Sequence, residues 1–415
     1  MTNAAPRGKP DAGNPHVRFD EGEVAPAATP RRGSLLYKLK GLFLALSAVV
    51  AVNMAAAAEP ITDEAEVKEY LAPYKLGRPI LAPSGEPGAF DRLAVDHARL
   101  FRHRGRIYMM YIGFDGVGYQ TALASTADML HWTKHGVVFA RGQSKNGWDM
   151  NGRAISCFLQ ENDLYGSREL IEKDGKYWLM YHAYPGKGYE SGGAANGLAW
   201  TTDEKLLAWH CLDKPVFEKG PDPSSWDGAG LYSVWVVPRD GTYWLYYNGK
   251  SSPSWPWKEQ VGVAFAEDDS LTKWRRYGRN PVCTVGQVGW DRNFTCGQGV
   301  MWDARRSRWM RYFCGLGGGP GAQEGVAVSP DGLNWRSYAR PVVPVGKPGE
   351  IDSIHAHKGA AIWHDGKLWL VYCAVRPLKD EAERAKFKTG NWNEYRCLTL
   401  ARSVPFTAAE IESLK

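Results

Sequence analysis

A cassette recurs along this chain: an aromatic-aspartate pair, an apolar run, a tight turn, then an aromatic-rich run. The pair stands at Phe90-Asp91, Trp148-Asp149, Trp226-Asp227 and Trp290-Asp291, with a weaker copy at Ile351-Asp352. The aromatic-rich runs follow at 107–111, 177–181, 243–247, 309–312 and 368–372. Self-similarity at roughly 60 to 80 residues signals units that bury their apolar faces only by stacking on one another. The alternation within the runs is that of half-buried strands. Asp174-Gly175, Asp240-Gly241 and Asp365-Gly366 between runs are hairpin signals, because both turn residues must take positive φ.

A third run follows in each copy, at 121–125, 197–200, 262–265, 325–328 and 398–401. A short outer run comes next, at Val137–Phe139, Pro215–Phe217, Pro281–Cys283 and Pro341–Val343. Proline suits an edge strand, which need not donate every backbone bond. The fifth copy lacks its outer run, and Arg78-Pro79-Ile80-Leu81 supplies the same pattern ahead of the first copy. The pattern predicts an all-β chain, a five-bladed β-propeller closed by the N-terminal strand, since closure removes an open edge. A pair of sandwiches is the competing architecture, and four strand types repeating in one order argue against it. The repeats span about 65–410 within a single unit over 59–415.

Residues 1–58 are a separate extension. Arg31, Arg32, Lys38 and Lys40 precede an apolar run from Gly41 to Ala58 that ends in small residues. This reads as a secretory signal and an exported protein, periplasmic or extracellular. The alternative is a membrane anchor over 41–58, the run being just long enough to span; Arg31-Arg32 is a weak twin-arginine match. The formal net charge of +6 carries no basic cluster interleaved with aromatics, which excludes a nucleic-acid partner. Seven scattered cysteines without a C-x-x-C pair leave at least one free thiol and read mostly as small buried hydrophobes. No protein partner is expected.

In a propeller the first strand of each blade lines the central channel. The informative position lies five or six residues after each aromatic-aspartate pair. It holds Asp96-His97, Tyr232-Ser233, Cys296-Gly297 and His357-Lys358, the last with His355 nearby. The second copy carries an insertion, and counting back from Tyr177 places Ser167-Arg168-Glu169 there. Charged groups are costly in a core unless paired, so their convergence points to a site. The repeated Asp91, Asp149, Asp227 and Asp291 read as turn or cap residues instead.

These motifs resemble glycoside hydrolases built on five-bladed propellers: families 43, 32 and 117, with families 62 and 68 and the family 130 mannoside phosphorylases as relatives. Phe90-Asp91 through Asp96 to Tyr111 is similar to their first blade, and the resemblance implies Asp96 as base or nucleophile. Ser167-Arg168-Glu169 resembles their Arg-Asp-Pro element, implying Glu169 as transition-state stabiliser held by Arg168. Families 32 and 43 place an acid Glu on the third blade, where Leu231-Tyr232-Ser233-Val234-Trp235 has none. A family 117-like histidine acid fits Ile354–Lys358, with His357 as donor. Glu190 and Glu324 are the other choices.

Glycoside cleavage needs one group to protonate the leaving oxygen and a carboxylate on the opposite face of the sugar. Asp96, Glu169 and His357 are therefore the expected catalytic residues. His97, Arg168, Tyr232, Ser233, Glu324, His355 and Lys358 are the expected substrate contacts. The substrate would be an oligosaccharide or polysaccharide fragment of plant or algal origin. A phosphorylase of the same fold and a noncatalytic sugar-binding propeller are the rivals. No cofactor is required. Two imidazoles with Asp96 also resemble a 2-His-1-carboxylate set, so a divalent cation, calcium or zinc, near the axis is an alternative. Trp255 and Trp257 either stack on sugar or pack on the rim.

Overall fold

The computed structural model of the protein describes residues 59–142, 144 and 147–414. The expected leader or anchor lies outside them. Among the described residues no helix is long and apolar enough to cross a membrane.

The chain is all-β, and each repeat forms an antiparallel group in chain order. In the first, Ala94–His103 pairs with Arg106–Phe114, then Tyr119–Thr126, then Trp132–Phe139. The inner strands of the later repeats are Gly152–Phe158, Gly230–Arg239, Phe294–Asp303 and His355–His364. The turn expectation holds: Asp174, Asp240 and Asp365 take φ of 55°, 53° and 50°, each ahead of a glycine with positive φ. Hydrogen bonds sort the strands into a 16-stranded sheet and a separate 5-stranded sheet made by the second repeat. Neither sheet closes on itself. Single parallel contacts join the third strand of one repeat to the inner strand of the next, at Glu259↔Phe294, Gln323↔Ala356 and Arg396↔Ala94.

The outer strands differ from expectation in a regular way. The first repeat keeps a continuous outer strand to Phe139. In the others the ladder lies earlier, at His210–Cys211, Trp274–Arg276 and Arg336–Ser337. The expected segments then touch the third strand only through the bridges Phe217↔Asn196, Cys283↔Val261 and Val343↔Glu324. Pro215, Pro281 and Pro341 cannot donate, which breaks the ladder there. The N-terminal segment repeats this pattern against the last strand. Tyr74–Lys75 pairs with Ala401–Arg402, and Leu81 bridges Leu398 past Pro79.

The cassette itself is a packing device. The aromatic of each pair lies flat against an aromatic of the second strand. Ring centroids are 5.6 Å apart for Trp148–Tyr181, 5.4 Å for Trp226–Tyr247 and 5.4 Å for Trp290–Phe313. Space for the ring comes from glycine: a Cβ on Gly249 or Gly262 would sit 2.4 or 2.8 Å from the Trp226 ring. The aspartates anchor the same corner. Asp227 accepts from Tyr247 Oη and Arg276 Nε, Asp352 from Tyr372 Oη and Lys75 Nζ, and Asp291 from the Gly286 and Val288 amides. Asp149, fully buried, accepts from Arg153 Nε at 2.7 Å. Breaking a buried ion pair leaves a charge without compensation. Asp149→Ala is therefore expected to destabilise by about 3 kcal/mol, read from denaturant midpoints; a change inside experimental error would reject the anchoring role.

Candidate active site

Each inner strand changes register once, and the five irregularities align. They fall between Asp96 and Arg99, Ile155 and Cys157, Leu231 and Val234, Gly297 and Gly299, and His357 and Ala360. A bulge adds a residue and re-aims side chains, which is why bulges recur beside functional sites. His97 and Lys358, both within these bulges, take φ of 49° and 57°, the left-handed region that side chains rarely adopt.

Above the bulges lies a pocket of about 680 Å³. Its wall includes the expected His97, Tyr232, Ser233, His355, His357 and Lys358, together with Glu190, Glu259, Tyr189 and Cys296. Asp96 sits behind this wall, 1% exposed. Its Oδ2 accepts from Tyr189 Oη at 2.7 Å, Lys358 Nζ at 2.8 Å and Arg396 Nη1 at 2.9 Å. Burial alone would raise this carboxyl, but Lys358 and Arg396 outweigh it and hold Asp96 well below the ordinary carboxylate range. Arg396 is clamped in turn by Glu394, at 2.7 Å, and Lys358 Nζ reaches Glu190 Oε1 at 3.1 Å.

The second carboxyl group of the pocket has the opposite character. Glu259 opens the third strand of its repeat and is 6% exposed. Cys296 Sγ donates to its Oε2 at 2.7 Å and Trp257 Nε1 to its Oε1 at 2.8 Å. Burial raises this carboxyl, and Glu190 raises it further against the two hydrogen bonds. The histidines stay neutral. Burial, with the cations around Lys358, pushes His97 and His357 well down, and burial with Arg99 brings His182 to about 3. His182 Nδ1 faces Ser156 Oγ at 2.9 Å, and His97 Nε2 has no hydrogen-bond partner among the described residues.

Three expected residues lie elsewhere. Glu169 is at the far end of the first repeat, capping the Arg104 and Gly105 amides of its hairpin at 2.9 and 2.7 Å. Arg168 lies beside it, 1% exposed, below the pocket. The insertion of the second repeat follows its inner strand, so counting forward from Asp149 lands on Ser156, whereas counting back from Tyr177 overshoots. Glu324 is buried under the Lys358 bulge and accepts from the Gly359 amide at 3.0 Å. Glu259 and Arg396 were not expected; the signal available was a charged residue just ahead of a third-strand apolar run.

The donor set suits a cation poorly. Asp96, His357 and Cys373 bring ligand atoms within 4.8 Å of one another. Lys358 and Arg396 already hold the Asp96 oxygen and would repel a divalent ion. His355 Nδ1 is spent on the Ala322 amide at 2.8 Å. All seven cysteines are free.

No protein-family model matches the chain, and no curated protein does. Solved structures match its fold over most of its length. A complex of BT0996 with an RGII fragment is 24% identical, with a TM-score of 0.66 over 83% of this chain and 96% of the other. A second structure, described as a glycoside hydrolase, is 24% identical, with a TM-score of 0.67 over 84% and 97%. Zg3597, a family 117 glycoside hydrolase of Zobellia galactanivorans, is 14% identical, with a TM-score of 0.52 over 76% and 86%. The chain thus shares the fold of glycoside hydrolases, including that of a family named from its sequence motifs.

Asp96→Asn keeps the shape and removes the charge between two buried cations. A folded pKa held below the ordinary 3.8 contributes stability that is complete above that value and lost as pH falls through the folded pKa. The expected gap between wild type and variant is about 3 kcal/mol near pH 7 and closes in acid below about pH 4. A gap independent of pH in urea titrations would contradict this role.

Proposed function

We propose that this chain is a glycoside hydrolase on a five-bladed β-propeller, the N-terminal strand completing the last blade. Five antiparallel groups in one order, and Tyr74–Lys75 pairing with the final strand, support the architecture. The single observation that carries the chemistry is two carboxyl groups, Glu259 and Glu190, on one pocket wall in opposite environments. Glu259 is buried and pushed towards its protonated form; Glu190 is paired with Lys358. Carboxyls set apart in this way divide acid and base work between them.

In this mechanism Glu259 protonates the leaving oxygen. The Cys296 thiol and the Trp257 indole fix its carboxyl in orientation. Glu190 acts from the other side, directly or through water, on the developing oxocarbenium centre. Asp96 supports the site without meeting the sugar, as the anion that fixes Lys358, Arg396 and Tyr189. His97, with Nε2 open to the pocket wall, and neutral His357 bind sugar hydroxyls. A histidine kept neutral by burial is a poor proton donor, which favours Glu259 over His357 as the acid. A phosphorylase would need free cations for phosphate, and Lys358 is already bonded to Asp96 and Glu190.

Fold likeness to the complex of BT0996 with an RGII fragment supports a carbohydrate substrate. The basic-then-apolar segment ending at Ala58 supports action outside the cytoplasm. The test is product release from an oligosaccharide panel, with and without phosphate, by wild type, Glu259→Gln and Glu190→Gln. Free monosaccharide from wild type is expected, with kcat reduced about 10²–10⁴-fold in each variant. The basic limb of the wild-type pH profile should lie above the ordinary glutamic acid value of 4.5, activity falling as Glu259 loses its proton. A sugar phosphate product would make the protein a phosphorylase. Binding without turnover in every case would leave a lectin-like propeller.

A further inference from the structure

Below the pocket, the inner strands enclose more positive charge than acid to match it. Arg99, Arg168 and Arg311 are each 1% exposed. The hydrogen bonds of their guanidinium groups go to neutral oxygens. Arg99 donates to Ala98 O and Ser233 Oγ at 3.0 and 2.8 Å, and to Ser156 O. Arg168 donates to Asn162 Oδ1 at 3.2 Å and, with the Gln160 amide turned to suit, to that oxygen. Arg311 donates to Thr295 O and Oγ1 at 3.2 and 2.9 Å. The acid among them, Glu324, is pushed well up by burial and stays protonated. Glu161 accepts the backbone amide of Arg168 at 2.9 Å, not its guanidinium. Burying charge without a counter-charge is costly.

A second cavity, of about 240 Å³, opens at this place. Arg168 lines it with Leu100, Trp235, Met301, Tyr312 and Ala360. Arg168 Nε, fully buried, has no hydrogen-bond partner among the described residues. Trp235 lies between two guanidiniums, with Arg99 Cζ at 5.7 Å and Arg168 Cζ at 5.8 Å from its ring. Its π-face offsets part of their charge but supplies no anion. The Tyr312 hydroxyl is committed to Tyr70 O at 2.8 Å.

We propose that this cavity binds a monovalent, weakly hydrated anion of the halide class, seated against Arg168. One guanidinium with apolar and aromatic walls suits an ion that sheds water cheaply. Phosphate or sulfate carries more charge and needs several convergent donors, which these walls lack. The site is structural and lies outside the sugar pocket, but it touches it. Gly359 lines the cavity directly after Lys358, and Arg99 holds the pocket residue Ser233.

Two measurements on the full chain decide this. Crystals soaked in sodium bromide should show an anomalous peak beside Arg168 Nε. Thermal unfolding at fixed ionic strength, exchanging gluconate for bromide, should show Tm rising by about 2 °C for each tenfold increase above the dissociation constant. Arg168→Met should abolish that increment. Bromide only on the surface, an adventitious ion only, would overturn the proposal, as would a bromide increment that survives in Arg168→Met. If that variant does not fold, the wild-type anomalous map decides alone.

Discussion

One carboxylate joins the two ends of the chain. Asp96 comes from the first repeat, Lys358 and Arg396 from the last, and Tyr189 from the loop of the second, and all meet at a single oxygen. The joint is buried, so each charge is tolerable only while the others are present. Lys358 reaches Glu190 from this joint, and Arg396 reaches Glu394. The pocket wall is therefore held by long-range ion pairs as much as by the sheets. This also explains why the two sheets need not close: the first and last repeats are tied by charge and by the single contact Arg396↔Ala94.

Aligned bulges turn a repetitive scaffold into an asymmetric site. Every inner strand shifts register at the same height, so each contributes one or two side chains to the same level. The cassette makes those positions equivalent in backbone, yet leaves them free in side chain: His97, Ser156, Tyr232-Ser233 and Lys358. Packing is assigned to the aromatic plates and their aspartates, at the outer corner of each repeat. Chemistry is assigned to the bulges and to the residues that open the third strands. The two requirements fall on different residues, so selection on one does not compromise the other.

This division explains what could be read from residues alone. The repeat, the strand order, the Asp-Gly hairpins and the pairing of the N-terminal segment follow from local pattern, because period-two alternation and turn chemistry are local. His97, Tyr232, Ser233, His355, His357 and Lys358 were legible because they stand at a fixed offset from an aromatic-aspartate pair. Glu169 misled because the insertion shifted the count, and only hydrogen bonding reveals that its carboxylate caps a hairpin. Glu259 and Arg396 were hidden for another reason. Their role depends on the parallel contact between a third strand and the next inner strand, a pairing remote in sequence and marked by no motif. The outer strands lie earlier than their prolines suggest, because proline marks where the ladder breaks rather than where it runs.

The placement of charge within the site has a common logic. Around Asp96, two cations face one buried carboxylate and a tyrosine, with Glu190 and Glu394 behind them, so the cluster is close to neutral and can exclude water. Around Glu259 no cation makes a direct ion pair, and Lys250, the nearest, is turned over the Trp257 ring at 3.8 Å. Burial lowers Lys250 just as it raises Glu259. An acid needs its neutral form favoured, and a supporting anion needs its charge favoured. A few ångströms of protein supply both by directing Lys358 and Arg396 to one carboxyl and leaving the other to a thiol and an indole. Were Lys250 to swing from Trp257 onto Glu259, it would hold that carboxyl ionised and remove the proton donor. The aromatic stack of Trp257 on Phe294 thus acts on the chemistry through the position of one ammonium group.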